Sequence, residues 1–135
     1  VHGAIAEIIE HHRFIEAWLR GRADPGALGA FLDAHTPGFR LLAPGGEVLD
    51  ARALRKALPG AHGSAPDLEL SIRGPRVVAE DGALVAAAYE EHQARAAGRT
   101  ARRSTVLFVR GPRARNGLLW HHLHETWTAA PGEGG

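Results

Sequence analysis

The spacing of apolar residues changes period once along this chain, at Asp67, and that single change limits the folds open to it. Before it the spacing is helical. Ile5, Ile8, Ile9, His12, Ile15, Glu16 and Leu19 fall on one face at about 100° per residue, which predicts an amphipathic helix ending near Gly21. Asp24 before Pro25 is an N-cap and first-turn signal. Leu28, Phe31, Leu32 and His35 then recur at i, i+3, i+4 and i+7, so a second short helix is expected to end before Thr36 and Pro37. Residues 39–43 read as a strand, Pro44, Gly45 and Gly46 as a turn, and residues 47–49 as a short returning strand. Asp50 caps a third helix carrying Leu54 and Leu58, which Pro59 and Gly60 close.

After Asp67 the period is two. Leu68, Leu70 and Ile72 alternate with polar residues, and residues 76–80 lead into Asp81 and Gly82, a strong hairpin signal. A long strand is expected over residues 83–97. Its Ala, Glu and Gln favour helix on propensity, so the assignment rests on the preceding turn. Residues 105–109 are β-branched and aromatic, 111–117 form a loop, and Leu118–Trp127 is the closing strand. Helices first and strands after predict an α+β layout, with helices covering one face of a curved antiparallel sheet.

Length and composition narrow the classes of function. The 135 residues suit one domain, expected over residues 1–130, with residues 131–135 a flexible C-terminal tail. A formal charge of +1 gives no global attraction to nucleic acid or acidic membranes. The arginines from Arg95 to Arg115 read as solvated hairpin ends rather than a nucleic-acid surface, because no stacking motif accompanies them. With no cysteine there is no disulfide, thiolate metal site or thiol nucleophile. No run reaches the roughly 18 apolar residues of a membrane span, and Glu7, Glu10 and Arg13 interrupt the N-terminus, so a cytoplasmic protein is expected. A nucleophile elbow, a phosphate loop and a dinucleotide fingerprint are all missing from the sequence.

Candidate chemistry concentrates in three places. Alternation on the closing strand puts Trp120, His122, His124 and Thr126 on one face and His121, Leu123, Glu125 and Trp127 on the other, and the sequence leaves open which face turns inward. Imidazoles two apart on a strand can serve as acid, base or metal ligand; equally, they can pack, hydrogen-bonded, at a pocket rim or dimer face. A metal site needs at least a third protein ligand, and no compact motif supplies one. On the first helix His12 and Glu16 are neighbours within the apolar stripe, either as a mutual ion pair or with Glu16 turned to a pocket as a desolvated base. Phe14 and Trp18 fall on the opposite side. In the long strand Tyr89, Glu91 and Gln93 share a face with Val85 and Ala87, a donor and acceptors that can hold a carbonyl or hydroxyl. His35 is placed on the second helix, as a dipole partner, a satisfied core histidine or a pocket residue.

Phe14-Ile15-Glu16-Ala17-Trp18-Leu19 in the first helix, Tyr89-Glu90-Glu91-His92-Gln93 in the long strand and Trp120-His121-His122-Leu123-His124-Glu125-Thr126-Trp127 at the end carry a family likeness. Over nearly its whole length the chain resembles the nuclear transport factor 2-like superfamily, the cone-shaped, cystatin-like fold of ketosteroid isomerases, scytalone dehydratase and polyketide-cyclase-like proteins. Within it, the chain is most similar to a bacterial branch of domains of unknown function. The resemblance implies a pocket between the concave face of the sheet and the helices, and a homodimer formed through the sheet. The catalytic Asp, Tyr and protonated Asp of ketosteroid isomerase have no matching positions here, and fold alone does not select an activity.

The resulting expectation is a cofactor-independent pocket protein for a small apolar organic ligand, with isomerase, dehydratase or cyclase chemistry open to it. His124, His122, Glu16 and Glu91 are the acid–base candidates. His12, Trp18, His35, Tyr89, Trp120, Glu125 and Trp127 are candidate ligand contacts, and no metal, nucleic-acid or membrane partner is expected. The alternative is a non-catalytic dimerisation or interaction module with a vestigial pocket.

Overall fold

A computed structural model describes residues 2–128, so the tail expected at residues 131–135 lies outside the described residues. Helix α1 (Gly3–Leu19) starts where His2 Nδ1 accepts from the Ala4 amide at 3.0 Å. It ends where Gly21 takes a φ of +77°, beside Gly63. A Cβ on Gly21 would stand 3.1 Å from the Gly63 Cα, so a side chain there would crowd the neighbouring backbone as well as strain the positive φ. The Gly63 and Ala65 amides then donate to the carbonyls of Trp18 and Leu19, which satisfies the helix end and fixes it over the sheet.

Asp24 caps a single 3₁₀ turn, Pro25–Ala27, that runs into α2 (Leu28–Leu32). Strand β1 (His35–Leu42) turns back through β2 (Val48–Asp50), and Asp50 Oδ1 accepts from the Ala53 amide at 2.8 Å to open α3 (Ala51–Ala61). The remaining chain is β3 (Glu69–Asp81), β4 (Leu84–Arg95), β5 (Gly98–Arg110) and β6 (Leu118–Trp127). Strand order is β2-β1-β6-β5-β4-β3.

The α+β expectation holds, with corrections in detail. The sheet is mixed, because β1 pairs parallel to β6 while every other pair is antiparallel. Parallel neighbours need a long crossover, and here most of the chain supplies it. His35 begins β1 instead of continuing the second helix. The alternating run from Leu68 and the lead into Asp81 belong to one strand, β3, which bends at Gly74, where φ is +60° and the register with β4 slips. Strand β5 starts at Gly98, well before the β-branched run that marked it in the sequence.

The face α1 buries is rotated from the expected one. Ala4, Glu7, Ile8, His11, His12 and Trp18 are buried, so Trp18 belongs to the inward side and not the opposite one. Glu7 can go inward because donors meet it there: Trp120 Nε1 at 2.9 Å, Asn116 Nδ2 at 3.1 Å, and Arg115 through Nε at 3.1 Å and Nη2 at 3.2 Å. A carboxylate with that many partners is tolerated in a core.

Register across β4, β5 and β6 fixes what faces the helices. One set of rows reads Val85, Phe108, Trp120; Ala87, Val106, Leu123; Tyr89, Ser104, Glu125; and Glu91, Arg102, Trp127. The opposite set reads Leu84, Val109, Leu119; Ala86, Leu107, His122; and Ala88, Thr105, His124. The first set packs under α1 with Ala4 and Ile8 in the core. Both Trp120 and Leu123 belong to it because the pairing of β6 with β5 slips between Trp120 and His122, leaving His121 as the extra residue of a bulge. Simple alternation along β6 therefore fails at His121.

Candidate functional site

A cavity of about 200 Å³ opens between the inner rows and the helices. Its apolar wall comes from Phe14, Ile15 and Trp18 of α1, Phe31 of α2, Phe39 and Leu41 of β1, and Leu54 and Leu58 of α3, with Leu123 beneath. Phe14 stacks on Phe31 with centroids 4.6 Å apart, and Trp18 Nε1 donates to the Leu58 carbonyl at 2.8 Å, so this wall is held by contacts among its own members. Opposite it stand His12, Glu91, Gln93, Arg102 and Glu125, with His11 and His35 at the α2 side.

The polar side is organised around His12 and Glu91. His12 Nδ1–H donates to the Ile8 carbonyl at 2.7 Å, which aims Nε2 at Glu91 Oε1, 3.1 Å away, with the Tyr89 hydroxyl at 3.4 Å. Burial pushes the Glu91 carboxyl up, but its contact with His12, aided by Arg102 and Gln93, holds it below the usual range. Gln93 Nε2 donates to Glu91 Oε2 at 2.5 Å.

Glu125 is tuned the other way. Burial first, and the Glu91 charge second, raise its carboxyl above the usual range, although Arg102 Nη1 donates to Oε1 at 3.2 Å and Ser104 Oγ to Oε2 at 3.1 Å. Burial and these same two carboxylates raise the Tyr89 phenol well above its ordinary value, so it keeps its proton. Two carboxyl groups on adjacent inner rows thus differ in their hold on a proton, the condition under which one serves as base and the other as acid.

Behind them lies a chain of imidazoles. His35 Nδ1–H donates to the Leu32 carbonyl at 3.1 Å, leaving its Nε2 as acceptor for His11 Nε2–H at 3.0 Å. His11 stacks on Trp120 at 4.0 Å, and burial, then the neighbouring His12 and His35, lower its basicity well below normal. Burial likewise lowers His35. The tautomers leave His11 Nδ1 a bare acceptor, and it has no partner among the described residues.

Of the residues singled out in the sequence, His12, Trp18, His35, Glu91 and Glu125 line the cavity together. Tyr89 and Trp120 are buried and do not line it, touching its lining through His12 and His11, and half-exposed Trp127 packs over Arg102. His122 and His124 are elsewhere, in the outer rows of the sheet. Glu16 is also apart: its Oε2 accepts from the Leu70 amide at 2.6 Å, tying α1 to β3, and it borders a separate polar depression of about 750 Å³. Among the described residues, no cluster of three His, Asp or Glu side chains is arranged to hold a metal.

His11 and Arg102 were missed. An Ala4, Ile8, His11, Ile15, Trp18 stripe is as regular as the one chosen, and its Glu7 hid it. Arg102 needed the β4–β5 register, which no turn residue in the Ala96-Ala97 link announces.

A solved nuclear transport factor 2-like protein of unknown function from Pseudomonas aeruginosa is 36% identical to this chain, with a TM-score of 0.83, covering 91% of this chain and 96% of that one. The chain belongs to the nuclear transport factor 2-like family. More distant solved structures share the fold alone: a CaMKII hub from S. rosetta at 16% identity and TM-score 0.65, covering 91% of this chain and 95% of that one, and a putative ketosteroid isomerase from Parabacteroides distasonis at 14% and 0.62, covering 91% and 86%. No protein-family model matches the chain, and no curated protein sequence does. Within the family the cone is a common frame, so function has to be argued from the side chains in it.

Proposed function

We propose that this nuclear transport factor 2-like protein binds a small, largely apolar organic molecule in the cavity and moves a proton on it. Glu91, held ionised against His12, is the base, and Glu125 is the acid. The carrying observation is the opposed tuning of these two carboxyl groups in one apolar chamber. At about 200 Å³ the chamber is below the roughly 300–1,000 Å³ of sites for drug-sized ligands, so the occupant is small. Isomerisation, dehydration or cyclisation through an enol all begin with such a transfer beside a carbonyl.

Acetophenone in deuterated buffer tests the reading. Exchange of its methyl protons, followed by NMR, is expected to exceed the buffer rate with the wild type and to fall to it with Glu91→Gln. Binding without exchange would leave a ligand-binding protein and remove the catalytic half of the proposal.

A second reading is favoured by the outer rows. Leu84 is 43% exposed there, beside Ala86, Ala88, Leu107 and Val109. We infer that this sheet face pairs with a second copy, His122 and His124 included. Sedimentation of the wild type as a monomer at micromolar concentration would overturn it.

A further inference from the structure

Arg102 is the one Arg or Lys lining the cavity among the described residues, and its hydrogen bonding is incomplete. Nη1 donates to Glu125, but Nε is buried with no partner among the described residues. A guanidinium N–H shut away from water without an acceptor is unfavourable, and a ligand that brings an acceptor removes the cost. Arg102 also divides two spaces. It and Gln93 line both the apolar cavity and a shallow outer depression of about 400 Å³ at the β4–β5 hairpin. That depression holds Arg95, Arg99 and Arg102 and no carboxylate. Arg95 is partly neutralised by Asp67 at 3.6 Å, whereas Arg99 has no ion pair among the described residues. The Trp127 ring covers the guanidinium, with its centroid 4.8 Å from Cζ, and is itself 51% exposed.

We propose that the ligand is a carboxylic acid with a single-ring or short branched body, its carboxylate on Arg102 at the cavity mouth and its body among Phe14, Trp18 and Phe31. This deepens the ligand-binding reading and rests on it. A planar fork of N–H donors matches a carboxylate, which also meets the positive field of Arg99 on the way in. Size agrees: an apolar cavity near 150 Å³ takes benzene in another protein, so about 200 Å³ suits one ring. A longer or bulkier body would have to leave the chamber.

Calorimetric titration with benzoate and with benzamide, the same ring with a neutral head, tests this at fixed ionic strength. Benzoate is expected to bind roughly tenfold tighter or more, the scale of one charge-assisted hydrogen bond. Arg102→Gln should abolish the preference while benzamide still binds. Equal affinities for the two probes, or a preference that survives Arg102→Gln, overturn the carboxylate assignment and leave the cavity reading standing. Binding of neither probe removes the cavity reading, and this inference with it. Because Arg102→Gln also takes a partner from Glu125, its melting temperature is measured alongside. If it does not fold, exposed Arg99→Gln decides: a loss of about two- to threefold in the preference supports the proposal, and none overturns it.

Discussion

His12 Nε2 and Glu91 Oε1 stand 3.1 Å apart with both side chains buried, one from α1 and the other from β4, so a single contact joins helix to sheet and sets the charge state of the cavity. Breaking it has two separable consequences. Glu91→Gln keeps the shape and removes the base, so proton exchange on a bound ketone should fall by about 10²–10⁴-fold, the usual worth of general base catalysis. Stability should drop by roughly 1–3 kcal/mol, because His12 Nε2 loses its carboxylate partner inside the core. Urea unfolding and NMR exchange on the same variant measure both. Unchanged exchange would remove Glu91 from the mechanism.

The neutral imidazole pair makes the fold acid-sensitive. His11 and His35 have lowered basicity when folded, chiefly through burial, and ordinary basicity when unfolded. Their contribution is intact above the unfolded value near pH 6.5, and is lost as pH falls from there toward the folded values, since only the unfolded chain takes up protons in that window. Each can cost up to about 1.4 kcal/mol per pH unit. Urea midpoints should fall between pH 7.5 and pH 5, and His11→Phe, which keeps a ring on Trp120, should flatten the slope. A midpoint independent of pH over that range would mean the pair is not buried as described.

Much of this was legible from letters alone, for physical reasons. The change of period at Asp67 separates helices from strands because burial on one side imposes 3.6 on a helix and two on a strand. Alternation along the long strand puts Tyr89, Glu91 and Gln93 on one face, and it holds in the structure because β4 runs unbroken through them. The closing strand defeated the same logic. A bulge at His121 carries no residue signature, yet it moves Leu123 and Glu125 to the side of Trp120 and sends His122 outward. Glu7 misled the reading of α1, since a carboxylate looks exposed until Trp120, Arg115 and Asn116, more than a hundred residues away, are known to meet it.

That bulge decides what two of the closing strand's histidines can reach. His122 and His124 sit in rows with Leu107 and Thr105 on the outer face, so replacing both with Ala should leave ligand affinity in the cavity unchanged. The same face is proposed to join two copies, so Leu107→Arg should shift sedimentation from dimer to monomer by placing an unpaired charge in an apolar contact. A double His→Ala variant that lost benzoate binding while remaining folded would contradict the assignment of faces.

Filling the chamber separates a site from a packing defect. Leu123 lies on the inner face of β6 between the apolar wall and the carboxylates, and it borders the cavity. Leu123→Phe extends a ring into space that none of the described residues occupies. Cavity filling usually stabilises by about 0.5–2 kcal/mol, whereas overpacking a closed core costs about 1–3 kcal/mol. If the space is kept open for a ligand, the variant should melt higher than the wild type and bind benzoate at least tenfold more weakly, trading function for stability. A variant that melts lower would show that the core is already full at Leu123. One that melts higher yet binds benzoate as before would place the ligand somewhere other than between Phe31 and Glu91.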